Sequence, residues 1–343
     1  MRRLFEQLRN ELRDTPRRWL VTGAAGFIGS SLVAELLDLG QDVVGLDNFS
    51  TGHRANLDDV FSSRSGLASR FRLIEGDIRD ISACRASCVG VDYVLHQAAL
   101  GSVPRSMADP IVSSEVNVDG FLNVLVAVRD ANVKRMVFAS SSSVYGTNRD
   151  LPQQEDRIGR PLSPYAATKV SNEIFAAAFQ NAYGLETIGL RYFNVFGPRQ
   201  DPNGPYAAAI PRWISGLITG DSCRIFGDGE TSRDFCYIAN AVQANLLAAA
   251  GATAEATNEV YNIACGQSTS LTCVFDAIRE ELAQYLPSVR QREPILEDFR
   301  RGDIRHSLAS IEKARQRLGY EPTHDVSAGL RETLKWYAER LKV

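Results

Sequence analysis

The chain has 343 residues, 44% of them hydrophobic and 23% charged, and its 38 Lys and Arg against 41 Asp and Glu leave a formal charge of −3. That balance gives no basic footprint for nucleic acid or an anionic membrane surface, and the length suits one large domain or two unequal ones with a full core. No apolar run approaches the roughly 20 residues of a transmembrane helix, and the first eighteen residues are charged throughout rather than signal-like, so a cytoplasmic α/β protein is expected.

Residues 1–15 place Leu4, Phe5, Leu8 and Leu12 at helical spacing among charges, which predicts an amphipathic helix. Short apolar runs then alternate with helical stretches. The runs are Trp19–Thr22, Val43–Leu46, Phe71–Ile74, Tyr93–His96, Met136–Ala139 and Thr187–Leu190, and the helices between them include Ile28–Leu39, Val116–Ala131 and Ala166–Tyr183. Near-continuous apolar runs of this length read as buried parallel strands, so the series predicts a doubly wound, Rossmann-type parallel sheet.

After Phe193 the rhythm breaks at Gly197, Pro198, Pro202, Gly204 and Pro205, which predicts a long loop. Helices follow at about 206–220, 239–250, 271–285, 308–318 and 326–341, giving a smaller mixed α/β C-terminal lobe. The expected division is a dinucleotide domain over 1–195 and a second lobe over 196–343. Segments around 235–265, such as Val260–Ile263, are able to return to the first. The cysteines (Cys84, Cys88, Cys223, Cys236, Cys265, Cys273) form no C-x-x-C pair, and His53, His96, His306 and His324 are scattered. Buried reduced thiols, ordinary histidines and no metal site are expected.

The first strand runs into Gly23-Ala24-Ala25-Gly26-Phe27-Ile28-Gly29 and then a helix. Glycines here permit a tight turn, close backbone approach to a pyrophosphate and close helix–strand packing, while the helix N-terminus offers free N–H groups. Asp47 ends the second run, 18 residues beyond Gly29, where a carboxylate can accept both adenosine-ribose hydroxyls. Its charge would repel a 2′-phosphate, so NAD is expected rather than NADP. Asp77 and Ile78 follow the third run, where an Asp can meet the adenine amino group. Gln97, Ala98 and Ala99 follow the fourth, where small residues let the cofactor lie against backbone.

The fifth run ends in Ser140-Ser141-Ser142-Ser143-Val144-Tyr145-Gly146, and Tyr165 and Lys169 lie four apart at the start of a helix, on one face. An ammonium together with the positive charge of oxidised nicotinamide would draw the tyrosine down from its ordinary pKa near 10 and make it a base. A strand-end serine would relay the proton, and Lys169 would also hold the nicotinamide ribose.

These motifs, with Arg191-Tyr192-Phe193-Asn194-Val195-Phe196-Gly197-Pro198, Arg233-Asp234-Phe235, Gly302-Asp303-Ile304-Arg305 and Leu318-Gly319-Tyr320-Glu321-Pro322, resemble the extended branch of the short-chain dehydrogenase/reductase superfamily over nearly the whole chain. Within it the likeness is greatest to UDP-hexose 4-epimerases, especially bacterial ones acting on N-acetylated sugars. The N-terminal helix, Gly101–Ser106 and Ser307 carry that subgroup's features. The resemblance implies Ser141, Tyr165 and Lys169 as the catalytic trio, with further cofactor contacts at Asn48, Gly52 and Tyr192. It implies a sugar-nucleotide site of Ser102, Ser142, Ser143, Asn194, Ala208, Ala209, Trp213, Arg233, Arg300, Asp303 and Ser307. Counting back from Val144-Tyr145-Gly146 favours Ser141 as the relay, with Ser142 and Ser143 nearer the sugar.

The implied reaction inverts C4 of a UDP-sugar through a 4-keto intermediate, with UDP-GlcNAc/UDP-GalNAc as the expected pair, NAD retained throughout, and a homodimer formed through helices 116–131 and 166–183. A UDP-uronate or UDP-glucose epimerase is the alternative. A 4,6-dehydratase would need an acid and a base where this chain has Ser141–Ser143. A non-catalytic NAD-binding protein would not need the Tyr165/Lys169 pair.

Overall fold

The computed structural model describes residues 2–203, 207–299 and 304–341. Seven strands form one parallel sheet: β1 Arg18–Thr22, β2 Asp42–Asp47, β3 Phe71–Glu75, β4 Tyr93–His96, β5 Arg135–Ser141, β6 Thr187–Tyr192 and β7 Glu259–Ile263. Their spatial order is β7-β6-β5-β4-β1-β2-β3. The order reverses between β1 and β4, where the loops leaving the two strand ends diverge and open a crevice. This is the expected doubly wound, Rossmann-type fold.

Side chains alternate across the sheet, so each strand feeds two cores. Trp19 and Val21 of β1, with Leu95 of β4 and Val137 of β5, join one cluster, which the helices Phe27–Asp38 and Ile238–Leu246 cover. Leu20, Val94, Met136 and Phe138 point the other way, against Phe121, Val124, Leu125 and Val128 of the helix Gly120–Asp130. Burial on both faces is why these strands read as unbroken apolar runs.

β7 pairs in parallel with β6, so a strand from beyond residue 250 does return to the main sheet. The short pairs Val195–Phe196 with Cys236–Tyr237, Ser232–Arg233 with Thr269–Ser270, and Arg224–Phe226 with Ile295–Glu297 build the smaller lobe at the strand ends. The N-terminal helix Arg2–Asp14 docks through buried Leu8 and Leu12. Behind it the buried Gln41 donates to the carbonyls of Leu12 (2.6 Å) and Leu39 (2.9 Å) and accepts from the Trp19 indole (3.0 Å).

Three expectations need correction. The helix expected from residue 308 starts at Glu312. Backbone bonds from Ser307 to Ser232 and from Ser310 to Gln153 hold the preceding residues extended. The stretch Pro110–Asp130 does reach the length and apolarity of a membrane span, with mean hydropathy 1.4. Its apolar interior, from Phe121 to Val128, is packed into the core, which accounts for that composition. Buried thiols hold for Cys84, Cys88, Cys223 and Cys236, but Cys265 is half-buried and Cys273 is exposed.

Candidate active site

The loop leaving β1 is shaped by contacts that exclude side chains. Gly23 has φ +69°, and a Cβ there would stand 2.8 Å from the Ala98 nitrogen. A Cβ on Gly29 would stand 1.9 Å from the Gly23 carbonyl oxygen. Gly26 begins the helix Phe27–Asp38 with no side-chain cap, so the first-turn N–H groups, Phe27 and Ile28 among them, remain available to an anion. Asp47, at the end of β2, accepts from the backbone of Ala25 and Phe49, each at 2.8 Å. An ionised carboxylate has about four acceptor sites, which leaves room for ribose hydroxyls.

Gly23, Gly26, Asp47, Asn48, Gly52, Asp77, Ile78, Gln97, Ala98 and Ala99 line one groove of about 80 Å³. Asn48 donates to Asp77 at 2.8 Å, and Arg79 grips the same carboxylate at 2.8 and 3.1 Å. The Arg79 hydrogen bond holds the Asp77 pKa down at about 2, so it stays an anionic acceptor. Gln97 donates to Asn245 at 3.1 Å while its Oε1 is buried without a partner. An orphaned acceptor beside a cradle that admits no Cβ fits a bound dinucleotide. Tyr192 stands behind this groove rather than in its lining, its hydroxyl accepting from Asn245 at 2.7 Å.

β5 delivers Ser141 to the same crevice. Its hydroxyl accepts from the Ser143 backbone at 3.1 Å and hydrogen-bonds the Tyr165 phenol. Ser163 caps the helix Pro164–Tyr183, accepting from Ala166 at 3.1 Å, with Pro164 in its first turn. The Tyr165 backbone donates to the buried Ser106 hydroxyl at 3.0 Å, which seats the tyrosine from the opposite side. Lys169 is buried, donates to the Ala139 carbonyl at 2.8 Å, and stands 5.9 Å from the Tyr165 ring centre.

The electrostatics differ from the expectation. Desolvation raises the Tyr165 pKa, opposed only by the Ser141 hydrogen bond, so the chain by itself does not draw the phenol towards neutrality. Burial lowers Lys169 to about 8, with the charge of Glu173 working the other way. Beneath them His96 shares a 2.8 Å hydrogen bond with Thr22, and burial, then the Lys169 charge, pushes it down to about 3. It is neutral in the working range.

Sequence reasoning missed the buttress behind this trio. Glu173 accepts a forked pair from Arg191 (2.9 and 2.8 Å) and the Ser140 hydroxyl (2.5 Å). Arg191 continues to the Tyr145 hydroxyl (3.2 Å), which donates to Asn262 at 2.7 Å. Glu173 lies four residues after Lys169, and that spacing was the available signal.

A second cavity of about 630 Å³ is lined by Asn194, Ala208, Ala209, Trp213 and Arg233, with Arg212 and Arg224. Trp213 is nearly enclosed and donates to the Arg224 carbonyl at 3.0 Å, so it stiffens the wall more than it faces the space. Asn194 has φ +32° and donates to the Asp234 carbonyl at 3.2 Å. Ser102, Ser141, Ser142, Ser143 and Ser307 do not line this cavity. Ser102 instead caps the helix Val103–Ala108, Ser143 keeps a buried hydroxyl without a partner, and Ser307 is buried with its N–H on the Ser232 carbonyl. Arg300 and Asp303 lie outside the described residues.

Residues 19–264 match the model of the NAD dependent epimerase/dehydratase family, and the chain belongs to that family. NAD is therefore its cofactor, and the groove from Gly23 to Ala99 is where the residues fit it. Among its relatives, a putative UDP-glucose 4-epimerase of Methanocaldococcus jannaschii is 35% identical over 92% of this chain and 97% of its own. A UDP-N-acetylglucosamine 4-epimerase from Methanobrevibacter ruminantium, solved with UDP-N-acetylmuramic acid, is 39% identical with a TM-score of 0.85, covering 95% of this chain and 99% of its own. A variant of the UDP-glucuronic acid 4-epimerase from Bacillus cereus, solved with NAD and a fluorinated UDP-glucuronic acid, is 30% identical with a TM-score of 0.81, covering 94% and 99%. The resemblance to extended short-chain dehydrogenases and UDP-hexose 4-epimerases is borne out. These relatives are named for three different sugars, glucose, N-acetylglucosamine and glucuronic acid.

Proposed function

We propose that this protein is a UDP-sugar 4-epimerase whose preferred pair is UDP-GlcNAc and UDP-GalNAc. The observation that carries the reaction is the Ser141–Tyr165–Lys169 constellation, in which Ser141 hydrogen-bonds the phenol and Lys169 stands 5.9 Å from its ring centre, with serines, not carboxylates, at the end of β5. The N-acetyl preference rests on likeness to a UDP-N-acetylglucosamine 4-epimerase; the small Ser307, buried and outside the lining of the large cavity, is expected to meet the sugar from the resemblance alone.

In this reading Tyr165 takes the proton from the sugar O4, with the Ser141 hydroxyl bridging phenol and substrate. Held in the groove lined by Gly23, Gly26, Asp47 and Ala98, NAD would supply a reversible hydride acceptor for C4 and the positive charge that the Tyr165 phenol lacks from the chain alone. The planar ketone turns about its diphosphate, and Tyr165 returns the proton to O4 on the other face. Lys169, near 8, is mostly protonated at neutral pH and holds the ribose side of the crevice. Residues 1–195, with 235–265, hold the dinucleotide, and 196–343 hold the UDP-sugar. Two copies pair through helices 116–131 and 166–183, which leave Ile174 and Tyr183 exposed on one chain.

Incubation with UDP-GlcNAc, UDP-Glc and UDP-GlcNAcA in parallel, without a hydride donor, tests this. The N-acetylhexosamine pair is expected to interconvert fastest. Faster turnover of the uronic acid would replace the substrate assignment, and no epimer from any sugar would overturn the activity.

A further inference from the structure

The chain passes from the sheet to the cavity wall through the segment Gly197–Asn203, and Arg199 stands at its centre with a left-handed backbone, φ +67°. That conformation is costly for a residue with a Cβ, so it persists only where the surroundings hold it. The Arg199 side chain is largely buried and is not among the residues lining the cavity. Its Nε donates to the Ser30 hydroxyl at 3.1 Å, and one terminal nitrogen donates to the Ser31 hydroxyl at 3.0 Å. The other reaches Asp59 at 3.0 Å.

These acceptors are themselves fixed. Both serine hydroxyls donate to the Phe27 carbonyl, at 3.2 and 3.0 Å, in the first turn of the helix that faces the dinucleotide groove. Asp59 also receives the Trp336 indole at 3.3 Å and the Arg340 guanidinium from the C-terminal helix Val326–Leu341. The next residue, Gln200, lines the large cavity, and its carbonyl accepts from Tyr337 at 2.6 Å. A planar fork with three fixed acceptors sets orientation as well as distance.

We propose that Arg199 is a positioning residue for the sugar-nucleotide cavity, registering the wall that begins at Gln200 against the cofactor helix through Ser30, Ser31 and Asp59. This rests on the UDP-sugar reading. Arg199 touches neither substrate nor the reacting atoms, so it governs how well the nucleotide is held and not the chemical step.

The test compares wild type, Arg199→Met, Arg199→Lys and the double variant Ser30→Ala/Ser31→Ala. It measures affinity for UDP alone by calorimetry, NAD released on denaturation, and kcat and KM for the UDP-sugar. In Arg199→Met the UDP Kd and the KM are expected to rise about tenfold, the scale of losing hydrogen bonds to a charged group. NAD content should hold and kcat should stay within about twofold, the pattern of lost uniform binding. Arg199→Lys should fall between, because it keeps the charge against Asp59 and loses the fork. The serine double variant should shift UDP affinity in the same direction by less, and it decides the question if Arg199→Met fails to fold. Unchanged UDP affinity in a folded Arg199→Met, or in the double variant if that one fails, overturns the proposal, as does loss of NAD in step with UDP. Wild type that binds no UDP overturns the functional reading first.

Discussion

In the dinucleotide groove, Gly23, Gly26 and Asp47 come from two consecutive β–loop units, and the groove's shape is set by backbone that tolerates no Cβ. The large cavity gathers Asn194, Ala208, Trp213, Arg224 and Arg233 from loops and short elements, tied by strand pairs of two or three residues. The first is a rigid seat whose geometry follows from local sequence. The second is an assembly whose geometry depends on how the segment after β6 is held. Removing one side-chain interaction should therefore act differently on the two halves.

The largest effect is expected in the seat. Gly29→Ala puts a methyl 1.9 Å from the Gly23 carbonyl, so the loop must move. Protein carrying this change should lose NAD entirely and melt earlier, read from nucleotide release and thermal unfolding. Retained NAD would show that the cradle yields more than its close packing allows. Next is Tyr165→Phe, which removes the proposed proton carrier and leaves the groove intact. General acid–base catalysis contributes about 10²–10⁴-fold, so turnover should fall by that order with NAD still bound. Near-normal turnover would remove Tyr165 from its role.

The third prediction concerns pH. In the proposed mechanism Lys169 acts protonated and it sits near 8, so activity should decline as pH rises through that value. Glu173 raises the Lys169 pKa, so Glu173→Gln should move this alkaline limb to lower pH; a limb left in place would separate the two groups. The fourth tests whether Ser307, buried and outside the lining of the large cavity, meets the sugar. Ser307→Tyr should depress UDP-GlcNAc turnover more than UDP-Glc turnover, and equal loss on both would move the acetamido pocket elsewhere. The smallest effect is on stability. His96 has a folded pKa near 3 against an ordinary 6.5, so its contribution is present above 6.5 and is lost as pH falls towards 3. One proton corresponds to about 1.4 kcal/mol per pH unit, and urea midpoints at pH 7 and 5 should show this slope flatten in His96→Asn.

The seat was legible because its determinants are local: Gly23–Gly29 after a strand, Asp47 at the next strand's end, Tyr165 and Lys169 one turn apart. The seven strands were legible for a related reason, since burial on both faces writes apolar runs into the sequence. What was not legible depends on distant partners. Ser106 meets Tyr165 across 59 residues and Arg199 meets Ser30 across 169. No spacing announces such pairings. The chain's own effect on the Tyr165 pKa was not legible, because neighbouring charge is visible in a sequence and desolvation is not.

In the proposed reaction hydrogen leaves C4 and returns to it within one bound complex. Incubating the purified protein with UDP-GlcNAc deuterated at C4, in ordinary water without added cofactor, tests it most directly. UDP-GalNAc with the deuterium still at C4 is expected. Product that has exchanged C4 deuterium for solvent hydrogen would contradict it, and so would the absence of any epimer.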